Sequence, residues 1–175
     1  CMDRLQKYQF EKIFPNARLL DIHEYLLEKG IKLDGAINGV RYMYHDPCHS
    51  PMKTHNPMKV VNELMASDVA LNDRCCGESG TFAISRPDSA TQVRYRKEEE
   101  MRAGADAIRA DGFTGEVKVL TSCPACLQGL HRYRNDIQAE PDYIVVEMAK
   151  YILGENWMAD YVHTANNGGI ERVLV

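Results

Sequence analysis

The sequence lacks an apolar run long enough to cross a lipid bilayer, and it lacks a recognisable signal peptide. It also lacks an excess of basic residues, since the formal net charge is −4, and this argues against a nucleic-acid-binding face. Linkers, internal repeats and low-complexity tracts are missing as well. We therefore expect no nucleic-acid partner and no transmembrane segment. The expected location is the cytoplasm, or the periphery of the inner membrane through partners.

The domain organisation follows from the same absences. A chain of 175 residues with 45% hydrophobic content can form a single compact core, and no composition shift divides it. We expect one domain over residues 1–175, with 1–38 as a helical lead-in and 140–175 as a C-terminal extension. The chain begins with Cys1 and not with methionine, from which we expect a segment of a longer polypeptide. The basic clusters Arg94–Lys97 and Arg132–Arg134 are interpreted as solvated helix faces.

Strand and helix patterns alternate along the chain. Runs rich in β-branched and aromatic residues predict strands over 40–45, 69–72, 117–120 and 143–146, with an edge strand over 172–175. Capping residues and apolar periodicity predict helices over 3–15, 21–29, 57–65 and 88–110, from Leu127 onward, and up to Leu153. This order predicts an α/β fold of right-handed βαβ units, with a mostly parallel sheet flanked by helices.

Cysteine is the residue type that the sequence does have in an informative pattern. Without a secretory signal a reducing compartment is expected, where metal ligation is a better explanation of cysteines than disulfides. Five of the six cysteines follow predicted strand ends: Cys48, Cys75, Cys76, Cys123 and Cys126. The carboxyl ends of parallel strands share one edge of a sheet. We therefore expect these five thiols to converge on one metal or iron–sulfur site in the loops at that edge.

The spacing of the cysteines indicates which kind of site this is. Cys123 and Cys126 can bind one site from a single turn, a spacing shared by zinc sites, iron–sulfur sites and redox dithiols. The adjacent side chains of Cys75 and Cys76 diverge, and can reach different irons of a multinuclear cluster. Five thiolates exceed the four that a zinc ion or a cubane cluster takes, so one is outside the ligand set or the cluster is unusual.

Glycines and histidines accompany the cysteines. Gly77 and Gly80 permit a positive φ and a close backbone approach, and their N–H groups can hydrogen-bond to cluster sulfurs. His45, His49 and His55 lie near Cys48, so an imidazole ligand is an alternative, although we expect loop or hydrogen-bonding roles for them.

Two other functions remain open at this level. Zinc bound by four of the five thiolates would hold loops together and carry no redox function. A thiol–disulfide oxidoreductase would use Cys123 and Cys126 at the start of a helix, which lowers a thiol pKa. Dithiol chemistry does not need the other three cysteines at the same edge.

The three cysteine motifs together resemble the cysteine-rich CCG domain family. The matching stretches are His45-Asp46-Pro47-Cys48-His49, residues 75–82 (CCGESGTF) and residues 121–126 (TSCPAC). That family includes a subunit of heterodisulfide reductase, the iron–sulfur subunit of glycolate oxidase and lactate-utilisation iron–sulfur proteins. The resemblance implies a 4Fe–4S cluster, noncubane in heterodisulfide reductase, with the five cysteines as its ligands. Family members often carry two copies of the signature and some place zinc in one copy, whereas this chain has one copy.

The resemblance also implies a role. It suggests an electron relay beside a flavin dehydrogenase that acts on a 2-hydroxy acid such as lactate or glycolate. FAD would bind on a separate domain or subunit, other iron–sulfur modules would be partners, and the isolated segment would have no turnover. The stretch up to Asn166-Asn167-Gly168-Gly169 is similar to the C-terminal end of large FAD-linked dehydrogenases.

Overall fold

A computed structural model describes residue 5, residues 8–78 and residues 82–168. Three sequence features lie outside these described residues: Cys1, the motif residues 79–81 with Gly80, and the edge strand expected over 172–175. Among the described residues, no helix combines the length and apolarity needed to span a membrane.

Four strands and nine α-helices are described. The strands are β1 (Val40–His45), β2 (Ala70–Leu71), β3 (Glu116–Thr121) and β4 (Glu140–Tyr143). The helices are α1 (Phe10–Ile13), α2 (Ile22–Glu28), α3 (Pro57–Met65), α4 (Phe82–Ser85), α5 (Pro87–Arg109), α6 (Pro124–Leu130), α7 (Arg134–Ile137), α8 (Ile144–Leu153) and α9 (Trp157–Asn166). A 3₁₀ turn, His131–Tyr133, joins α6 to α7.

The strands form one parallel sheet in the order β2-β1-β3-β4. Tyr44 of β1 pairs with Leu71 of β2 on one side and with Leu120 of β3 on the other. The register therefore brings the carboxyl ends of β1, β2 and β3 level with one another. The expected α/β fold with a parallel sheet is confirmed.

Both faces of the sheet are covered by helices, as parallel sheets require. Tyr42 and Tyr44 of β1 join the buried cluster under α2, α3 and α8, while Met43 between them joins the cluster under α5. This alternation follows from the two-residue period of a strand. The two apolar layers fix the sheet between helices and leave its carboxyl edge to the loops.

Local signals set several helix ends as predicted. Asp21 and Glu24 form a capping box at the start of α2, which ends before Gly30 at φ +69°. Asn56 caps α3 by accepting a hydrogen bond from the Lys59 N–H at 3.1 Å, and Pro57 occupies the first helical position.

Other boundaries differ from the predictions. The strand expected over 143–146 is wrong, because β4 spans Glu140–Tyr143 and Ile144 opens α8. The helix expected from Leu127 begins at Pro124, so Cys126 is helical. Of the helix expected over 3–15, the described residues contain a helical Leu5 and a short helix over Phe10–Ile13.

Candidate metal centre

The loops at the carboxyl edge of the sheet carry all five predicted cysteines. Cys48 follows β1, Cys75 and Cys76 follow β2, and Cys123 follows β3 as the N-cap of α6, with Cys126 in its first turn. Because the three strands end level with one another, three segments that are distant in the sequence meet there.

One cavity of about 310 Å³ lies among these loops. It is lined by all five cysteines together with Pro47, His49 and Ala125. The five thiols are free. Cys76 and Cys126 are buried, Cys75 and Cys123 are partly buried, and Cys48 is exposed. The cavity is therefore closed on the sheet side and accessible on the side of Cys48.

The backbone at the vicinal pair takes a conformation that favours glycine. Gly77 has φ +75°, and its N–H donates to Cys75 Sγ at 3.4 Å. A Cβ at Gly77 would lie 3.2 Å from Arg94 Cγ, which is tighter than normal packing allows. Gly77 thus turns the chain with the positive φ expected from the sequence, and its N–H donates to a cysteine sulfur.

The buried thiols influence one another strongly. The sulfurs of Cys76 and Cys126 lie within hydrogen-bond distance, 3.3 Å apart. Hydrogen bonding with Cys126, followed by the proximity of the His45 ring and the charge of Lys97, lowers the pKa of Cys76 to about 5. The pKa of Cys123 is lowered to about 6, first by Cys126 and then by the N–H groups of Cys126 and Ala125. Cys126, which keeps its proton between these two thiols, has a raised pKa.

Cys48 behaves differently. Partial desolvation of its sulfur raises its pKa to about 11, and interaction with Cys75 adds to the shift. Without metal the site thus combines thiols that ionise readily with thiols that keep their protons. A bound cation would favour the ionised form of all of them.

His45, the last residue of β1, is a buried neighbour of the thiols. Its Nδ1 lies 3.1 Å from the Asn72 carbonyl oxygen, and its Nε2 is buried without a hydrogen-bond partner. The ligating atoms of His45, Cys76 and Cys126 lie within 4.8 Å of one another. The sequence pattern included His45 but favoured a loop or hydrogen-bonding role for it.

Lys97 of α5 was interpreted from the sequence as part of a solvated basic face, and this is wrong. Its side chain is fully buried, and its Nζ donates to the Asn72 carbonyl oxygen at 2.9 Å, to the Asn72 side chain, and to Glu100 Oε2 at 2.8 Å. Burial lowers the pKa of Lys97. The signal was its spacing, since Lys97 lies four residues from both Val93 and Met101 on the apolar face of the helix.

Glu78 directly follows the CCG residues and holds their loop against the neighbouring helical segments. It accepts a hydrogen bond from Arg132 at 3.0 Å and pairs with Arg94 at 3.1 Å. A Cβ at Gly129 of α6 would collide with the Glu78 side chain. Two residues of the expected solvated clusters thus hold the loop of Cys75 and Cys76.

Glu24 of α2 fastens the loop after Cys48. Its carboxylate is fully buried and accepts hydrogen bonds from the Thr54 and His55 N–H groups, each at 2.7 Å. The sequence indicated Glu24 as a capping residue, whereas its second role depends on tertiary contacts. The loop after Cys48 is therefore held by a fully buried carboxylate, and the loop of Cys75 and Cys76 by a partly buried one.

The family with the description "Cysteine-rich domain" (CCG) matches residues 42–131, which is just over half of the chain. This chain belongs to the cysteine-rich CCG family. The matched region begins within β1, contains β2 and β3, and includes all five cysteines of the cavity. Residues 131–175 match a second family, described as "Domain of unknown function (DUF3400)".

Two curated relatives are similar to the chain. An uncharacterized iron–sulfur protein of Methanococcus maripaludis is 29% identical over 132 residues, which are 72% of this chain and 24% of that protein. One subunit of the fumarate reductase (CoM/CoB) of Methanothermobacter marburgensis is 25% identical over 127 residues, which are 69% of this chain and 24% of that protein. The chain thus spans about a quarter of the length of these relatives. No solved structure matches it significantly.

Proposed function

We propose that this chain is an iron–sulfur electron-transfer domain whose cluster is held by Cys48, Cys75, Cys76, Cys123 and Cys126. The observation that carries the proposal is the single cavity that all five thiols line. Five thiols exceed the needs of a structural zinc ion, and a multinuclear cluster can use ligands that diverge from adjacent positions. The relative from Methanococcus maripaludis is named an iron–sulfur protein, which agrees with this assignment.

The residues around the cavity suit such a cluster. Thiolates are the ligands that iron–sulfur clusters take, and the Gly77 N–H already donates to a cysteine sulfur. Lys97 is a buried cation whose charge stabilises the Cys76 thiolate, and it would offset part of the negative charge of a cluster. When bound, an iron–sulfur cluster supplies one-electron redox chemistry, and these residues would hold it and set its potential.

We further propose the setting of this relay. The resemblance to glycolate oxidase and lactate-utilisation iron–sulfur proteins favours a flavin-dependent oxidoreductase acting on a 2-hydroxy acid. The chain spans a quarter of its curated relatives, so FAD and further iron–sulfur modules would lie on other domains or subunits. Residues 1–175 would act as one domain of that assembly. In the complete enzyme, lactate or glycolate should bleach the visible absorption of the cluster, whereas the isolated chain should show no bleaching.

A structural zinc site is the second candidate. One observation favours it, because His45, Cys76 and Cys126 bring their ligating atoms within 4.8 Å of one another, as around a single ion. In this case the protein would bind zinc stoichiometrically and would never develop the broad visible absorption of a cluster.

The experiment that tests the proposal compares Cys76→Ser with Cys1→Ser. Both variants remove one thiol, but Cys1 belongs to none of the three motifs. After anaerobic reconstitution with iron and sulfide, Cys76→Ser should lose or convert the cluster, while Cys1→Ser should keep the iron content and paramagnetic resonance spectrum of the parent. An unchanged spectrum in Cys76→Ser would refute the five-thiolate site. Dithiol activity that survives in Cys76→Ser without any cluster would favour the oxidoreductase that uses Cys123 and Cys126.

A further inference from the structure

The hydrogen bonds of His45 inside the protein do not account for both nitrogens of its imidazole ring. It is fully buried at the end of β1, and only one of its two ring nitrogens has a hydrogen-bond partner. Leaving a buried polar atom without a partner destabilises the folded protein. A buried, unpartnered nitrogen close to two thiols indicates that something else binds it when the site is filled.

The partner of the other nitrogen fixes the tautomer. Nδ1 lies 3.1 Å from the Asn72 carbonyl oxygen, and a carbonyl oxygen can only accept a hydrogen bond. Nδ1 therefore carries the proton, and in the neutral ring the lone pair is on Nε2. Metal-binding histidines show this same arrangement, in which a backbone carbonyl holds one ring nitrogen and directs the other to the metal.

The surroundings of Asn72 strengthen this orientation. The same Asn72 carbonyl oxygen also accepts from Lys97 Nζ at 2.9 Å, and its side chain accepts from Lys97 as well. Two donors, one from β1 and one from α5, thus fix a single carbonyl group behind the imidazole. The ring is held in place by contacts that lie outside the cavity.

The unpartnered nitrogen has the neighbours that a metal ligand needs. His45 Nε2, Cys76 Sγ and Cys126 Sγ all lie within 4.8 Å of one another, and the two sulfurs are 3.3 Å apart. Metal–nitrogen bonds of about 2.0–2.1 Å and metal–sulfur bonds of about 2.3 Å allow three such atoms to share one ion.

We infer that His45 supplies a nitrogen ligand, through Nε2, to the metal bound by Cys76 and Cys126. The identity of this metal as an iron of a cluster rests on the proposed function, but the ligand itself does not. The site would then have mixed sulfur and nitrogen ligation. Nitrogen ligands raise the potential of an iron–sulfur centre above that of an all-thiolate centre, as in Rieske clusters.

The first test needs no substitution at His45. The chain is reconstituted anaerobically with iron and sulfide, once unlabelled and once with 15N-histidine, and pulsed paramagnetic resonance is recorded in the paramagnetic oxidation state. We expect a strong nitrogen coupling that changes with the label, because only histidine nitrogen is replaced. A cluster signal without any label-sensitive coupling would overturn the inference and leave the proposed function standing.

Variants then assign the coupling to one histidine. His45→Asn keeps an amide N–H near the position of Nδ1, and thus the bond to the Asn72 carbonyl, but it removes Nε2. The matched controls are His49→Asn, beside the cavity, and His55→Asn, which pairs with Glu28 away from it. The coupling should be lost in His45→Asn alone. Persistence of the coupling in His45→Asn would overturn the inference.

A chain that forms no iron–sulfur signal would contradict the proposed function, and the ligand would then be decided with Co²⁺. The probe is the visible spectrum of the Co²⁺-loaded chain, whose d–d bands report the donor set. We expect the bands of His45→Asn to shift, with Co²⁺ affinity at least about 10-fold weaker. Identical bands and affinities in His45→Asn and the parent would refute the ligand.

Discussion

Lys118 and Lys97 are both buried lysines, but their charges are compensated in different ways. Lys118 on β3 lies 2.7 Å from Glu147 of α8, a fully buried carboxylate that also accepts a hydrogen bond from Tyr42. Lys97 donates twice to the neutral Asn72, and the carboxylate that forms an ion pair with it, Glu100, is partly exposed. The charge of Lys118 is thus neutralised locally, whereas the charge of Lys97 extends to the cysteine cavity.

This difference separates a structural role from a functional one for the same residue type. A buried ion pair contributes little net stability compared with apolar side chains of the same volume, but breaking one is costly. A buried cation beside thiolates stabilises whichever state of the site carries more negative charge. We therefore expect Lys118 variants to change folding and Lys97 variants to change the cluster.

The largest effect should come from Lys118→Met. It leaves the buried Glu147 with the neutral Tyr42 hydroxyl and, as its cationic partner among the described residues, Lys150 at the longer distance of 3.4 Å, so the free energy of unfolding should fall by about 3 kcal/mol. Urea unfolding of the variant and the parent measures this loss. The control is Lys118→Met combined with Glu147→Leu, which removes both charges and should recover part of it. If the double variant loses as much unfolding free energy as Lys118→Met and Glu147→Leu lose when added together, the ion pair is not the cause of the loss.

The next effect should come from Lys97→Met. Removing a positive charge near an anionic cluster disfavours the added electron, so the midpoint potential should fall by roughly 50–100 mV, the size of a single-charge effect at an effective dielectric of about 20. Anaerobic redox titration of the loaded chain measures it. Lys118→Met is the matched control and should leave the potential unchanged. Equal potentials in Lys97→Met and the parent would remove the distinction between the two lysines.

Glu100→Gln should have a smaller effect of opposite sign. Glu100 is the carboxylate that partly offsets Lys97, and its side chain is 19% exposed. Its removal should raise the potential, by less than half of the change in Lys97→Met because solvent screens the exposed charge. A fall in potential on the same titration would mean that Glu100 does not act through Lys97.

The smallest effect should come from the ion pair of Arg18 and Glu28. This pair lies at the surface, whereas Lys118 is buried and Lys97 lies beside the cysteine cavity. Arg18 and His55 lower the pKa of Glu28 to about 2 from 4.5. A lowered carboxyl pKa stabilises the fold above pH 4.5, and this contribution is lost as the pH falls from 4.5 to 2. Because Glu28 is exposed, Glu28→Gln should shift acid unfolding slightly, and the shift should vanish in concentrated salt. A shift that persists in salt would contradict this surface role.

The sequence carried enough information to predict the convergence of the cysteines. β-Branched and aromatic runs identified β1 and β3, and parallel strands share an edge, so Cys48 and Cys123 had to approach each other. The strand predicted over 69–72 placed Cys75 and Cys76 at the same edge of the sheet. In the structure this strand is shorter and consists of Ala70 and Leu71. These predictions depend on the residue patterns within each strand and on the rule that the carboxyl ends of parallel strands share one edge of the sheet.

The boundary between β4 and α8 could not be predicted by the same reasoning. Ile144, Val145 and Val146 are β-branched, but Ile144 and Met148 lie on one face of a helix and are both buried. Pro141 is tolerated in β4 because β4 lies at the edge of the sheet that the structure describes. Tertiary packing determines both the helical conformation of Ile144–Val146 and the position of Pro141 in an edge strand. The sequence of a short apolar run does not show how that run packs.

The residues behind the cavity were missed for a related reason. Lys97 was interpreted as solvated because it lies in a basic cluster, although its spacing from Val93 and Met101 places it on the apolar face of the helix, and its contact with Asn72 could not be predicted. His45 could be recognised as near Cys48, but its fixed tautomer depends on the same Asn72 carbonyl. Interactions between a strand, a loop and a distant helix carry no signature in a single segment of sequence.

Metal and sulfide analysis of the chain, purified and reconstituted under anaerobic conditions, tests most directly whether the five thiols hold an iron–sulfur cluster. We predict iron and acid-labile sulfide in about equal amounts, with broad visible absorption that is lost on exposure to air. Stoichiometric zinc, with no iron retained and no visible absorption after reconstitution, would contradict it.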